Sequence, residues 1–252
     1  MIKETELPEL LIFDLETAPD LPSFSKLEET HPRKADLWKT KCEKASVKDP
    51  EKWQDASQAY IDNTALSPEF GRIVCASFLH IVGENVDGKA QYRGRVKSFY
   101  DNLATEESEK KLVLEPIAEL LENISKTGRN YRLCGHNIKK FDVPFLAKRM
   151  IMNGVSVPPL LQTWGKKPWE LTHVDTGELW SMGAWDQYVS LDLLSCSLGV
   201  PSPKENMKGE YVGRSFWEDS DYEKIRIYCE EDVKCVARIC HTLSESILPI
   251  EF

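Results

Sequence analysis

Residues 9–16, ELLIFDLE, stay apolar until two carboxylates close the run. A short apolar stretch with no polar alternation predicts a strand covered on both faces. A second strand is expected over Arg72–Val82 and a third over Val96–Tyr100, with Gly88 and Gly94 supplying turn chemistry ahead of it. A stretch rich in Glu, Lys and Leu predicts a helix from Thr105 to Ser125, closed by Gly128. Tyr131–Cys134 begins another short strand. The segment FDVPFLAKRMIMNG at 141–154 then sets apolar residues at helical spacing before an Asn153-Gly154 stop. Further helices are expected over Leu191–Leu198 and from Asp221 to Ser244. Strands first and helices interleaved later predict an α/β layer architecture.

Between Asp20 and Phe70 the pattern changes. Of the 30 residues from Lys26 to Asp55, 15 are charged, with mixed signs and two tryptophans, Trp38 and Trp53. This predicts a helical insertion at 20–70 between the first two strands of a single domain, 1–252. A solvated helical pair covering one sheet edge is the expected form, with a lid over substrate as the functional alternative.

Composition narrows the picture. A chain of 252 residues with 41% hydrophobic content can bury a substantial core. No apolar stretch approaches the roughly 20 residues that span a bilayer, and the opening MIKETELPEL lacks the basic-then-apolar order of a secretory signal. A cytoplasmic protein with no membrane partner is therefore expected. The seven cysteines (Cys42, Cys75, Cys134, Cys196, Cys229, Cys235 and Cys240) are scattered with no C-x-x-C pair, so reduced, mostly buried thiols are expected. A formal charge of -9 argues against a protein that grips long duplex DNA by neutralising phosphates. It leaves open a small acidic site compensated by metal ions.

Asp14 and Glu16 stand two apart in a predicted strand, so both aim at one face and Leu15 at the other. Two adjacent buried carboxylates need compensation, and a divalent cation supplies it at this spacing; a strand end emerging into water is the plainer reading. Asp232 falls on the apolar stripe of the last helix, three residues after Cys229 and four before Val236. Tyr228 lies one turn earlier on that side, a core aromatic or a partner of Asp232. Asp142 opens a helix, where an N-cap is the ordinary role, and His136 and Asn137 are loop residues with turn chemistry.

Taken together, FDLET at 13–17, HNIKKFDVPFL at 136–146 and YCEEDV at 228–233 make the chain resemble the DnaQ-like 3′-5′ exonucleases of the DEDDy subgroup. It looks most similar to exonuclease domains of the proofreading type found with family B DNA polymerases, and SLGVPSPK at 197–204 fits the same likeness. The resemblance implies a ribonuclease H-like mixed sheet flanked by helices and two divalent cations, magnesium or manganese. By that likeness Asp14, Glu16 and Asp232 hold the ion that activates the attacking water, Asp14 also touches the second ion, and Asp142 lies near through water. Tyr228 then orients the attacking water, and Leu15, Thr17, Asn137 and Phe141 match positions that contact the terminal nucleotide. The implied substrate is the 3′ end of DNA, single-stranded or frayed, with release of nucleoside 5′-monophosphates. RNA 3′ ends are the alternative, a non-catalytic nucleic-acid-binding module is a third reading, and a separate polymerase or repair protein stays open as a partner.

A nuclease acting at an end must hold unpaired bases, and aromatic faces do so without regard to sequence. Residues 164–185 contain Trp164, Trp169, Trp180 and Trp185 with Lys166 and Lys167. Core packing is expected for most of them, and Trp164 and Trp169, beside Gly165 and Pro168, are the better stacking candidates.

Overall fold

The computed structural model describes residues 2–184, 187–202 and 207–252. Strands β1 (Leu10–Pro19), β2 (Gly71–Val86), β3 (Lys89–Tyr100), β4 (Arg132–Gly135), β5 (Val174–Asp175) and β6 (Ile250–Glu251) form one mixed sheet in the order β5-β4-β1-β2-β3-β6. β1 runs antiparallel to β2 and parallel to β4, so it sits centrally, as its apolar run predicts. Its side chains alternate between two cores. Leu11, Phe13 and Leu15 pack with Ile117 and Leu121 of α5 (Glu115–Lys126) and with Val143, Leu146 and Met150 of α6 (Asp142–Met152). Leu10 and Ile12 pack with Val233, Val236, Ala237 and Cys240 of a long helix over Tyr222–Leu243. Each such Leu, Ile or Phe contributes about 1.5–3 kcal/mol by leaving water, which pins the register of the strand and of everything its end carries.

β2 and β3 extend beyond the expected strands and meet at a two-residue turn, Asp87-Gly88, with φ of 51° and 78°. Two left-handed residues give the type I′ geometry whose twist matches the flanking strands. Gly94 belongs to the ladder instead of the turn: a Cβ there would lie 2.5 Å from the Phe252 ring. The helix expected from Thr105 begins later. A single π turn at Lys110–Leu114 precedes α5, because Pro116 offers no N–H and would clash with the carbonyl four residues back in a regular helix. β5 and β6, of two residues each, were not expected.

The insertion is larger than a helical pair. Helices α1 (Phe24–Thr30), α2 (Pro32–Ser46), α3 (Pro50–Trp53) and α4 (Ala56–Asn63) enclose a core of their own around the fully buried Trp38 and Tyr60. Trp38 packs tilted against Trp53 and edge-on to Tyr60 and Phe70, and donates Nε1–H to the Ala56 carbonyl. The bundle meets the ends of β1 and β2 and not an outer strand; a Cβ on Gly71 would lie 2.7 Å from the Thr64 carbonyl oxygen. Two buried arginines fasten this junction. Arg72 donates to Asp101 at 2.6 Å between the rings of Phe216 and Trp217, and Arg149 pairs with Glu109 and Asp20 and donates to the Pro68 carbonyl.

The remaining helices are α7 (Thr176–Ser181), α8 (Leu191–Ser197), α9 (Val212–Trp217) and α10 (Tyr222–Leu243). α8 and α10 match the sequence expectation to within a residue or two. Among the described residues no helix is long and apolar enough to cross a membrane. Six of the seven cysteines are buried and all are free, as expected, with only Cys196 exposed.

Candidate active site

β1 carries Asp14 opposite Ser77 and Glu16 opposite Cys75 of β2, and a bulge follows between Glu16 and Thr17. The alternation that sends Leu10 and Ile12 under α10 sends Asp14 and Glu16 there too. β4 pairs with β1 only as far as Ile12 opposite Cys134, then turns away at Gly135. A Cβ on Gly135 would lie 2.7 Å from the Phe13 carbonyl oxygen, so the turn needs glycine. Past that point β1 has an open edge on the β4 side. The N–H of Leu15 donates there to Asp142 Oδ1 at 3.2 Å, across 127 residues of sequence. This contact replaces the expected capping role: Phe141 holds the N-cap position and Asp142 is the first residue of α6.

α10 supplies the third part. It is capped by Asp221, whose carboxylate accepts from Lys224 N–H at 3.2 Å, and its buried side presents Tyr228, Cys229 and Asp232 to the end of β1. Glu16, Asp142 and Asp232 are more than nine-tenths buried, and Asp14 is partly buried. Cys229 Sγ donates to the Asp14 carbonyl at 3.5 Å, and one ligand atom each from Asp14, Glu16 and Cys229 lies within 4.8 Å of the others.

The electrostatics follow from this crowding. Burial holds the carboxyls of Asp14 and Glu16 well above the usual carboxylate range, and Asp232 is the strongest neighbouring charge that raises each further. Asp142 is pushed up to about 7, again by burial first, against the opposing pull of its own N–H and that of Leu15. Burial and then the charges of Asp232, Glu16 and Asp14 push the Tyr228 phenol far up, and it hydrogen-bonds to Asp232. The phenol therefore keeps its proton at neutral pH. Among the described residues no hydrogen-bond donor reaches the buried Glu16 carboxylate. Asp142 and Asp232 have partners in Leu15 N–H and the Tyr228 phenol, while the close approach of Asp14, Glu16 and Cys229 is the spacing at which a divalent cation could be held.

Behind the cluster lies the loop 136–141. Asn137 takes a left-handed conformation, φ 62°, and the buried Asp175 accepts from the N–H groups of Asn137 (3.0 Å), Lys139 (3.3 Å) and Gly177 (3.0 Å). His136 bridges Thr176 Oγ1 and the Val189 carbonyl, with Tyr188 edge-on to its ring and 70% exposed. Asp175 and Tyr188 are absent from the sequence reading. For Asp175 there was a signal, since D-T-G-E at 175–178 has the form of a helix start. Of the predicted nucleotide contacts, Asn137 and Phe141 are partly buried at this loop, Thr17 lies just beyond Glu16, and Leu15 has its side chain in the core and its N–H given to Asp142. Trp164 and Trp169 are 62% and 76% exposed, with Lys167 over the Trp169 ring. Trp180 is 37% exposed, and Trp185 lies outside the described residues.

Comparison with known proteins bears on this geometry. The model of a family described as a predicted 3′-5′ exonuclease related to the exonuclease domain of PolB matches residues 66–235, a span that includes Asp142, Tyr228 and Asp232. The family B DNA polymerase from the hyperthermophilic archaeon Pyrobaculum calidifontis superposes with a TM-score of 0.55 at 14% identity, covering 93% of this chain. The chain spans 24% of that polymerase. At that identity the match establishes the ribonuclease H-like sheet and flanking helices as the shared fold. Among curated proteins the chain finds no match. With more than half of its length matched, the chain belongs to the family of predicted 3′-5′ exonucleases related to the exonuclease domain of PolB.

Proposed function

We propose that this protein removes nucleotides one at a time from the 3′ end of a DNA strand by metal-dependent hydrolysis, releasing nucleoside 5′-monophosphates. The observation that carries this reading is the convergence of Asp14, Glu16, Asp142, Asp232 and Tyr228 from three distant stretches of sequence onto the open edge of β1. Two divalent cations, magnesium or manganese, fit an all-carboxylate site better than softer ions would. Asp14, Glu16 and Asp232 hold the first, with Asp14 shared and Asp142 nearby for the second. Such a pair lowers the pKa of an attacking water and offsets charge on the entering and leaving oxygens.

The chain's own groups do the rest. Tyr228, protonated and anchored by its bond to Asp232, orients the attacking water toward the scissile phosphate. Asn137, Phe141, Thr17 and Leu15 surround the position of the terminal nucleotide. The exposed rings of Trp164, Trp169 and Tyr188 offer faces on which unpaired bases stack. Free, mostly buried thiols suit a reducing, cytoplasmic setting.

End-labelled single-stranded DNA and RNA of one sequence, each with and without magnesium, test the proposal. Stepwise shortening of DNA from the 3′ end, only with metal, is expected. Asp14→Ala and Asp232→Ala should each abolish it with the fold retained by circular dichroism. Faster loss of RNA would transfer the reading to an RNA 3′-exonuclease, and near wild-type cleavage by either mutant would remove the metal-site assignment.

A further inference from the structure

Without its cations the site itself repels a polyanion. Four carboxylates crowd the end of β1 in a chain whose formal charge is -9, so a polyanionic strand needs positive ground near by if it is to dwell there. Helix α2 provides such ground. At 100° per residue, Arg33, Lys34, Leu37, Lys41 and Lys44 fall within an arc of about 100°, and the exposed Lys48 follows two residues past the helix end. The buried residues Ala35, Trp38 and Cys42 lie on the adjoining arc, and the acids Asp36 and Glu43 on a third.

Most of this stripe stands outside direct ion pairs. Among the described residues Arg33, Lys41, Lys44 and Lys48 enter none, although the charge of Lys41 acts on Glu69. The helix N-terminus at the head of the stripe has no side-chain cap, and a cavity of about 480 Å³ opens there, lined by Thr30, His31, Pro32, Arg33, Lys34 and Leu37. Uncapped N–H groups add positive potential to that of the side chains.

The stripe also points back to the site. Lys34 Nζ lies 3.1 Å from Asp20, the residue after β1, and Lys34 and Lys41 both lean over the Phe70 ring at the insertion's exit. Glu16 is four residues back along the same strand, about 13 Å at strand rise. From Lys34 to Lys44 the stripe spans about 15 Å at helical rise.

We propose that the basic face of α2 is a track for the sugar-phosphate backbone of the strand being degraded, holding it upstream of the scissile bond. This assignment rests on the nuclease reading for the identity of the strand and gives the insertion a role: a charged arm, and not a lid.

The test compares wild type with Lys41→Gln/Lys44→Gln/Lys48→Gln, reading anisotropy of a fluorescein-labelled 12-mer of deoxythymidylate in chelator over a salt series. Each phosphate contact on a single strand contributes about 0.7 to the slope of log affinity against log salt, so losing three should flatten it by about 2. Affinity at low salt should fall by at least about tenfold. A charge-matched control away from the stripe, Lys89→Gln/Lys110→Gln/Lys126→Gln, should bind as wild type does. Thymidine 5′-monophosphate p-nitrophenyl ester, a phosphodiester too short to reach α2, should be hydrolysed equally by all three proteins. An unchanged Kd and slope in the stripe variant, or an equal loss in the control, overturns the track. Equal competition by polyglutamate replaces the strand with an acidic protein partner and overturns it too. If wild type cleaves neither substrate but the stripe variant still loses slope, the nuclease reading fails and the strand-binding face stands.

Discussion

Asp142 keeps its proton toward neutral pH because burial outweighs the two N–H groups that favour its anion. Its folded pKa of about 7 lies above the ordinary 3.8, so the folded state holds this proton more tightly than the unfolded chain does. The stability it contributes is therefore complete below the ordinary value and is lost as pH rises through the folded one. In chelator the melting temperature of Asp142→Asn should gain on wild type between about pH 4 and 7 and hold its lead above; parallel curves would deny the shift. Tyr228→Phe keeps the ring and removes the hydroxyl proposed to orient water. Its kcat should fall by about 10² to 10⁴ with KM little changed; a raised KM at full kcat would make Tyr228 a binding residue. Asp14, Glu16, Asp232 and Tyr228 could be picked out in the sequence because strand and helix periods convert spacing into direction. The bond from Leu15 to Asp142 could not, since a contact spanning 127 residues leaves no local pattern.

Among the elements, those with an apolar run or a helical period were legible and the two-residue strands were not. β1, α6 and α10 announce themselves through runs, periods and caps, whereas β5 is two residues long and displays no period at all. Yet β5 delivers Asp175, the carboxylate that fastens the loop carrying Asn137. Asp175→Asn leaves one acceptor for three N–H groups and turns a donor toward Lys139 N–H. An unsatisfied buried donor costs about 1–3 kcal/mol, here concentrated in one loop. Hydrogen exchange over 136–141 should quicken, with kcat/KM reduced and α10 still protected; uniform loss of protection would make Asp175 a general fold determinant. The π turn before α5 was hidden for another reason. Pro116 marks a disturbance, but sequence does not say whether the helix breaks or shifts register around it.

For the whole molecule, the proposed metal site links ion binding to the fold. Buried carboxyls held above their usual range disfavour the metal-free state, and on that proposal a divalent cation binds the assembled site far better than the open chain. Magnesium or manganese should raise the melting temperature with the logarithm of concentration, by about 2.7 kcal/mol of stability at a hundred times Kd. A melting temperature indifferent to both ions would deny the site. The layered α/β plan was legible as a whole; the insertion's separate core was not, because Trp38 and Tyr60 stand 22 residues apart in a stretch of mixed charge with no sustained apolar period. The N–H of Asp20 donates to the carbonyl of Phe70 at 2.8 Å, so the insertion leaves and rejoins the sheet at a single point. Strands β1 and β2 already stand as a hairpin whose connecting loop happens to be a helical bundle. Lengthening a loop whose ends already meet costs only about 0.6 kcal/mol per doubling. The bundle can thus change in length at little cost while the strand carrying Asp14 and Glu16 stays in register.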